Sequence, residues 1–345
     1  MWLRPLLVSS LAFGLAACGG GSPSGPSPTP TPTSGSNSLN AVVFYDENGN
    51  GSLDASELVR LPGVTVTAGS QSAVSTQGGG QVVVSGLPSG TITATIQAGT
   101  LPPYYIAGSP VAVALPQAPG AQAALPARLP IGSNRPNRYM GFGDSITIGE
   151  GSSQGNGYRT VLTADLRAYW GQAEVVDQGA SGSRTPNGVE RMGAALILTR
   201  PGYTLILYGT NDWNNLACRD QFPCDTVANL RSMIRQCRDV RSLPVVGTIP
   251  PVNPAFVDRD AAERNQWVAS MNALIRPMVS QEGAVLADIH AAFLREPSLT
   301  SLFADRLHPN DRGYEVIGHE WVRAIITPAP TTAPAADLLF RSPGT

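Results

Sequence analysis

The chain of 345 residues contains no lysine; all 23 of its basic residues are arginine, set against 25 acidic ones. Without lysine there is no Ser-Lys dyad, no Schiff-base lysine and no P-loop lysine. The even balance of charge lacks the basic footprint of a nucleic-acid binder, so no nucleic acid is expected as a partner. Histidine is almost as scarce. His290, His308 and His319 are the only three, so the search for a general base is confined to them. No cysteine or histidine cluster has the spacing of a zinc site. Beyond the N-terminal segment, no run is long and apolar enough to span a bilayer.

At the N-terminus, Arg4 precedes an apolar run from Leu6 to Ala17 that is too short for a membrane-spanning helix. It ends in Leu15-Ala16-Ala17-Cys18, which resembles the lipobox of bacterial lipoproteins. The resemblance implies that residues 1–17 are a signal peptide and that Cys18 is lipidated. It further implies an exported protein anchored to the cell envelope by that lipid. Gly19 after the cysteine leans toward the outer membrane, on its periplasmic or surface face. Residues 18–38 are almost wholly Gly, Ser, Pro and Thr, a spacer with nothing to bury. Export makes the compartment permissive for disulfides. Cys218 and Cys224 bracket a short loop and are the expected pair, whereas Cys237 sits on a helical pattern and reads as a small buried hydrophobe.

From residue 39 to 115 the pattern becomes short, β-branched, alternating runs separated by Pro-Gly, Gly-Gly-Gly and Pro-Ser-Gly turns, as in a small all-β sandwich. Between its first two strands, residues 46–57 place oxygen donors Asp46, Asn48, Asn50, Asp54 and Glu57 at positions 1, 3, 5, 9 and 12 of a loop. Gly51 stands at position 6, where a sharp turn is needed. Only hard oxygen ligands occupy these places, the requirement of calcium. The segment resembles the B-type repeats of bacterial surface adhesins (Cna-B or SdrD B-like), which implies a structural calcium and a prealbumin-like sandwich. Residues 116–136 are Pro-, Ala- and Gly-rich and read as a linker.

From residue 137 to 328 strands and helices alternate. Apolar strand candidates at 139–142, 174–177, 204–208, 245–249 and 284–289 are separated by helical patterns at 158–170, 188–198, 226–241 and 259–280, and a last helix spans 311–326. Repeated βα units of this size predict a three-layer α/β/α sandwich around a parallel, five-stranded, flavodoxin-like sheet. Right-handed crossovers bring every strand's carboxyl end, and with it Ser145, Gly179, Asn211 and Pro250, to one edge. Residues 329–345 read as a flexible tail.

Four stretches lie at those strand ends or in the loop before the last helix. They are Gly143-Asp144-Ser145-Ile146-Thr147, Asp177-Gln178-Gly179-Ala180-Ser181-Gly182, Gly209-Thr210-Asn211-Asp212 and Asp305-Arg306-Leu307-His308-Pro309. In this order they resemble the signature blocks of the SGNH (GDSL-type) hydrolases, with Ile146 where leucine is usual and Gln178 where asparagine is common. The chemistry can also be argued from the residues. A serine hydroxyl needs a base, an orienter and oxyanion donors. Asp305 lies three residues before His308, so one loop can aim the carboxylate at the imidazole; His290 and His319 are the rival bases. The Ser145 and Gly179 N–H groups and the Asn211 side-chain amide are the expected oxyanion donors. Asp144 and Asp212 read as helix caps or braces. Trp213 and residues 250–254 stand where substrate-facing loops belong.

The expectation is therefore an exported serine esterase forming an acyl-enzyme on Ser145, with Asp305 and His308 completing the triad and no cofactor in the chemistry. Its substrates would be short-acyl, acetylated-polysaccharide or lipid esters. The rival is a non-catalytic adhesion or carbohydrate-binding lipoprotein that keeps the hydrolase fold as a surface.

Overall fold

The structure, a computed structural model, describes residues 35–256 and 260–328. The segment expected as a signal peptide, Cys18 and the expected tail at 329–345 lie outside the described residues. Two four-stranded sheets form the N-terminal part. One runs in the order β4 (Gln81–Leu87), β1 (Asn37–Tyr45), β8 (Ala123–Arg128), β6 (Ile106–Ala107). The other runs β3 (Gln71–Val74), β2 (Thr65–Ala68), β5 (Gly90–Ile96), β7 (Val111–Leu115). The period-2 pattern explains the packing: in β4, Val82 and Val84 are buried while Gln81, Val83 and Ser85 face out. The inward residues of both sheets, among them Leu39, Val43, Val84, Val66 and Ile96, share one core.

The expected linker at 116–136 is corrected by this topology. Within it, β8 pairs in parallel with β1 from Ala41↔Ala123 to Tyr45↔Ala127, so it is an inner strand of the sheet. Its sequence, Ala-Ala-Leu-Pro-Ala-Arg, has one β-branched or large apolar residue and a proline, which is why its composition reads as a connector. What makes it a strand is burial of Leu125 and Ala127 against the sandwich core.

The second part is a three-layer α/β fold. Its parallel sheet runs β10 (Glu174–Gly179), β9 (Arg135–Gly143), β11 (Pro201–Leu207), β12 (Leu243–Gly247), β13 (Val285–Ala287). Alternate side chains point to opposite faces. Tyr139, Tyr203, Leu205 and Val245 pack against α2 (Tyr158–Trp170), α7 (Ile289–Arg295) and α8 (Asp311–Ile326). Met140, Phe142, Ile206 and Val246 pack against α3 (Thr185–Thr199), α5 (Thr226–Asp239) and α6 (Ala261–Gln281). Central strand β11 is buried along its whole length, as a doubly covered parallel strand requires. The run expected as one strand at 284–289 divides: Asp288 ends it by accepting from Ala291 N–H and caps α7.

The two parts meet at the amino ends of the parallel strands. The Tyr104 hydroxyl donates to Pro244 O at 2.6 Å and accepts from Val285 N–H at 3.0 Å. Asn137 donates to Glu47 Oε1 at 2.7 Å, and Arg60 N–H donates to Trp170 O at 3.2 Å. A line of rings crosses the seam, with Tyr105 edge-on to both Tyr45 (5.4 Å) and Trp170 (6.1 Å), and Tyr104 against Tyr203 (6.2 Å). One apolar core thus runs from the sandwich into the α/β part. Tyr104→Phe keeps the ring but leaves the half-buried Val285 N–H and the buried Pro244 O without the hydroxyl as partner. Unfolding of the chain by urea should show a loss of about 1–3 kcal/mol; an unchanged midpoint would mean that the seam contributes nothing to stability.

Candidate active site

Strand β9 ends at Gly143 and the chain turns at once into the one-turn helix α1 (Ser145–Ile148). Asp144 caps that turn, its Oδ1 accepting from Ile146 N–H at 2.9 Å. Ser145 is therefore held at a helix start on the carboxyl edge of the sheet, 3% exposed. From the other end of the chain, the loop before α8 is closed by Ala304 N–H donating to His308 O (2.9 Å) and by Asn310 capping α8 through Gly313 N–H (3.1 Å).

Within that loop, Asp305 Oδ1 accepts from the N–H groups of Leu307 and His308, both at 2.7 Å, and Oδ2 lies 2.8 Å from His308 Nδ1. Burial alone would raise the Asp305 carboxyl, but these bonds to the ring and backbone outweigh it and hold the group below the ordinary carboxylate range. An ionised Asp305 fixes the proton on Nδ1. His308 Nε2 is then the free base, and it stands 3.0 Å from Ser145 Oγ. The rival histidines are elsewhere. His290 is buried in α7, which pushes its ring toward the neutral form, and the exposed His319 lies 3.4 Å from Asp165.

The expected oxyanion donors divide. Among the described residues the Ser145 N–H has no hydrogen-bond acceptor, and it lies at the start of α1. Asn211 is buried, its amide nitrogen 3.2 Å from both Asp144 Oδ2 and Ser183 O. Gly179 is engaged otherwise: its N–H donates to Asp177 Oδ1 at 2.8 Å. A glycine is needed there because a Cβ would stand 2.7 Å from Ile148 N and 2.9 Å from Asp144 O, directly under α1. Three residues on, Gly182 is exposed at φ +68°, and its N–H has no acceptor among the described residues. Among the described residues it shares that freedom with the Ser181 N–H, and of the two glycines in the Gly-Ala-Ser-Gly run it is the one whose N–H is free.

Both neighbouring acids act as braces. Asp212 accepts from Thr185 N–H (2.9 Å), Thr185 Oγ1 (2.6 Å) and Thr226 Oγ1 (2.5 Å), tying the third signature stretch to α3 and α5. Trp213, expected to face substrate, is buried edge-on to Trp267 at 5.9 Å. Sequence reasoning passed over Arg264 and Glu150 at this edge, and took Asn253 only as part of a substrate-facing loop. Arg264, only 6% exposed, donates to Thr210 O at 2.6 Å, and burial draws its guanidinium down to about 10. Asn253 donates its N–H to Arg306 O (3.0 Å) and its amide to Asp305 O (3.2 Å), latching the loop that carries the base. Glu150 places Oε2 3.4 Å from His308 Nε2. None of the three lies in a recognised motif, and only the fold brings them to the site.

Away from the edge, Cys218 and Cys224 are bonded to each other, and Cys237 is buried, its thiol pushed up to about 12 by that burial. In the loop at 46–57, Asp46 accepts from the N–H groups of Gly49 and Gly51, and Glu57 accepts from those of Glu47 and Asp54. The amides of Asn48 and Asn50 both donate to Asp54 Oδ2, at 2.7 and 2.8 Å. Among the described residues no group of three or more His, Cys, Asp or Glu is disposed to share a metal ion. Nor does Asp46, Asp54 or Glu57 form an ion pair there.

Burial pushes Asp144 up to about 7, against the pull of Ile146 N–H and the His308 charge. A carboxyl raised above its unfolded value favours the fold most below about pH 4, and that contribution is lost as pH rises through 7. A carbon-13 carboxyl titration should therefore find the Asp144 midpoint near 7. A midpoint near 4 would show that the site solvates it.

A family model described as GDSL-like Lipase/Acylhydrolase matches residues 142–316. The acetylxylan esterase Axe2 from Geobacillus stearothermophilus is similar over 57% of this chain and 96% of its own, at 21% identity and a TM-score of 0.46. The lipase/acylhydrolase from Enterococcus faecalis is similar over 56% of this chain and 100% of its own, at 21% identity and a TM-score of 0.45. No curated protein matches the chain. The family match takes in just over half of the 345 residues, from the strand that delivers Ser145 to the helix that anchors His308, and the chain is an ester hydrolase of the GDSL-like lipase/acylhydrolase family.

Proposed function

We propose that the chain is an exported, lipid-anchored serine esterase acting on short-acyl, acetylated-polysaccharide or lipid esters. The observation that carries the mechanism is the relay Ser145 Oγ to His308 Nε2 at 3.0 Å and His308 Nδ1 to Asp305 Oδ2 at 2.8 Å. Ser145 Oγ bonds to the ester carbonyl carbon while its proton passes to Nε2. The oxyanion of the tetrahedral intermediate is met by the Ser145 N–H, by the Gly182 N–H in place of Gly179, and by the Asn211 amide, which gives up its bond to Asp144 Oδ2 or Ser183 O to reach it. The intermediate collapses by breaking the bond to the alkoxy oxygen, which takes the proton back from Nε2 and leaves as the alcohol. Water then adds to the acyl-enzyme by the same base, releasing the acid and restoring Ser145. Asp305 stays ionised throughout and stabilises the imidazolium.

The complete relay speaks for catalysis over the rival reading of a passive binding surface. Export and anchoring rest on the motif that ends at Cys18; acetylated sugars are favoured as substrates because an exported enzyme meets cell-surface and extracellular polysaccharide. Purified protein should hydrolyse p-nitrophenyl acetate, and Ser145→Ala should lower kcat/KM by several orders of magnitude. Equal rates from both proteins would sink the mechanism. Asp305→Asn should lower kcat sharply with the melting temperature held, because the wrong tautomer is no longer excluded.

We also propose that the loop at 46–57 takes a structural calcium. The donor set is all oxygen, and its three carboxylates lack a basic partner among the described residues, a charge that a divalent cation would offset. Binding would require the Asn48 and Asn50 amides to turn their oxygens inward. Calcium should then raise the melting temperature of the full chain and a chelator lower it. A melt indifferent to both would remove the ion.

A further inference from the structure

The carboxylate of Glu150 is unused by the mechanism, yet it lies on the nitrogen through which every proton passes. Its Oε2 is 3.4 Å from His308 Nε2, while Ser145 Oγ is 3.0 Å from the same atom. The placement is built. Glu150 N–H donates to Ser145 O at 3.1 Å, and Tyr314 OH donates to Glu150 O at 2.6 Å. The next residue, Gly151 (φ +90°), packs so closely on the base-bearing loop that a Cβ there would stand 2.9 Å from His308 Cβ and 2.6 Å from Pro309 O. The backbone that carries Glu150 is thus held against both the nucleophile and the base. The carboxylate itself is 39% exposed, so it is open to whatever occupies the site.

Resting on the esterase reading above, we infer that Glu150 selects the alcohol half of the substrate, favouring esters whose leaving alcohol carries a hydroxyl on the adjacent carbon, as sugars and other polyols do. When the ester collapses, the alkoxy oxygen must sit within hydrogen-bond reach of Nε2 to take the proton. Oε2 lies one short step from that nitrogen. A hydroxyl on the carbon next to the ester oxygen can donate to Oε2 while the ester oxygen faces Nε2. That bond is charge-assisted and orients the leaving group along the proton's path. A plain alkyl alcohol has nothing to offer the carboxylate, which then keeps its water. Because Glu150 is partly exposed, the discrimination is moderate and not of the size a fully buried unpaired charge would impose.

The test is a cycle between a substrate hydroxyl and a side chain, read as kcat/KM for trans-2-hydroxycyclohexyl acetate and for cyclohexyl acetate. The unaltered protein should prefer the hydroxylated ester by about tenfold or more, and Glu150→Ala should reduce that preference to within about twofold. Glu150→Gln, which keeps an acceptor oxygen without the charge, should fall between. No preference in the unaltered protein overturns the inference without any variant having to fold. So does a preference that survives Glu150→Ala, or an equal loss on both esters, which would place Glu150 on His308 alone. Failure of the esterase reading looks different: neither ester nor p-nitrophenyl acetate is turned over, and a fluorophosphonate probe leaves Ser145 unlabelled.

Discussion

The hydrogen bond between Ser145 Oγ and His308 Nε2 joins residues 163 positions apart, and the catalytic half is arranged to keep it short. Ser145 is fixed by the carboxyl end of β9 and the cap of α1. His308 is fixed by a loop that must be aimed from beyond the far side of the sheet, and a loop has little stiffness of its own. The answer lies in α6. Its Asn272 donates to Ile249 O and accepts from Ile249 N–H, and Asn265 does the same for Val252. Those bonds hold residues 249–253 as if they were part of a regular element. Asn253 then passes the constraint on to the carbonyls of Asp305 and Arg306. The base is positioned by a helix through one intermediate loop, which is how precision reaches a catalytic group carried on irregular backbone.

The same helix reaches the oxyanion side through Arg264, whose guanidinium holds Thr210 O beside Asn211. No carboxylate pairs with Arg264 among the described residues, and a buried cation lacking one is costly. Asp144, pushed up by its own burial, is the nearby acid whose charge favours the Arg264 cation. The two are linked in opposite senses: loss of the Arg264 charge would make an ionised Asp144 still less favourable. The charged groups around the nucleophile therefore include braces as well as the triad, and Asp144 supports Ser145 through the cap of α1.

The parallel sheet, helices α2 and α8 at their expected bounds, and the meeting of Ser145 with His308 and Asp305 were legible because each had a strong local signal: apolar strand runs, 3.6-residue periodicity, and motifs at strand ends. Three things were not. Strand β8 has a weak local preference, and only the core it completes makes it a strand. The second is the identity of the backbone donor after β10. Sequence shows Gly179 and Gly182 as equals, whereas Asp177 takes the first and leaves the second free. Glu150, Arg264 and the latching role of Asn253 were illegible for a third reason: their partners are 52 to 158 residues distant in sequence, and nothing local announces such a pairing.

The position of the N-terminal sandwich limits what it can do for the chemistry. Its contacts fall at Asn137, Trp170, Pro244 and Val285, at the amino ends of the strands or the end of the helix before β10. The triad lies at the opposite ends, about 20 Å away along β9 over the six residues from Asn137 to Gly143. A side chain of the loop at 46–57 cannot span that gap to touch substrate. It does touch the seam, because Glu47 accepts from Asn137, and just past the loop Arg60 N–H donates to Trp170 O. Anything that reshapes this loop must therefore act on the amino ends of β9 and on α2, whose other end at Tyr158 packs beneath the turn bearing Ser145 through Thr147. The sandwich can set how firmly the sheet is held, while the choice of substrate is left to the loops at the far edge.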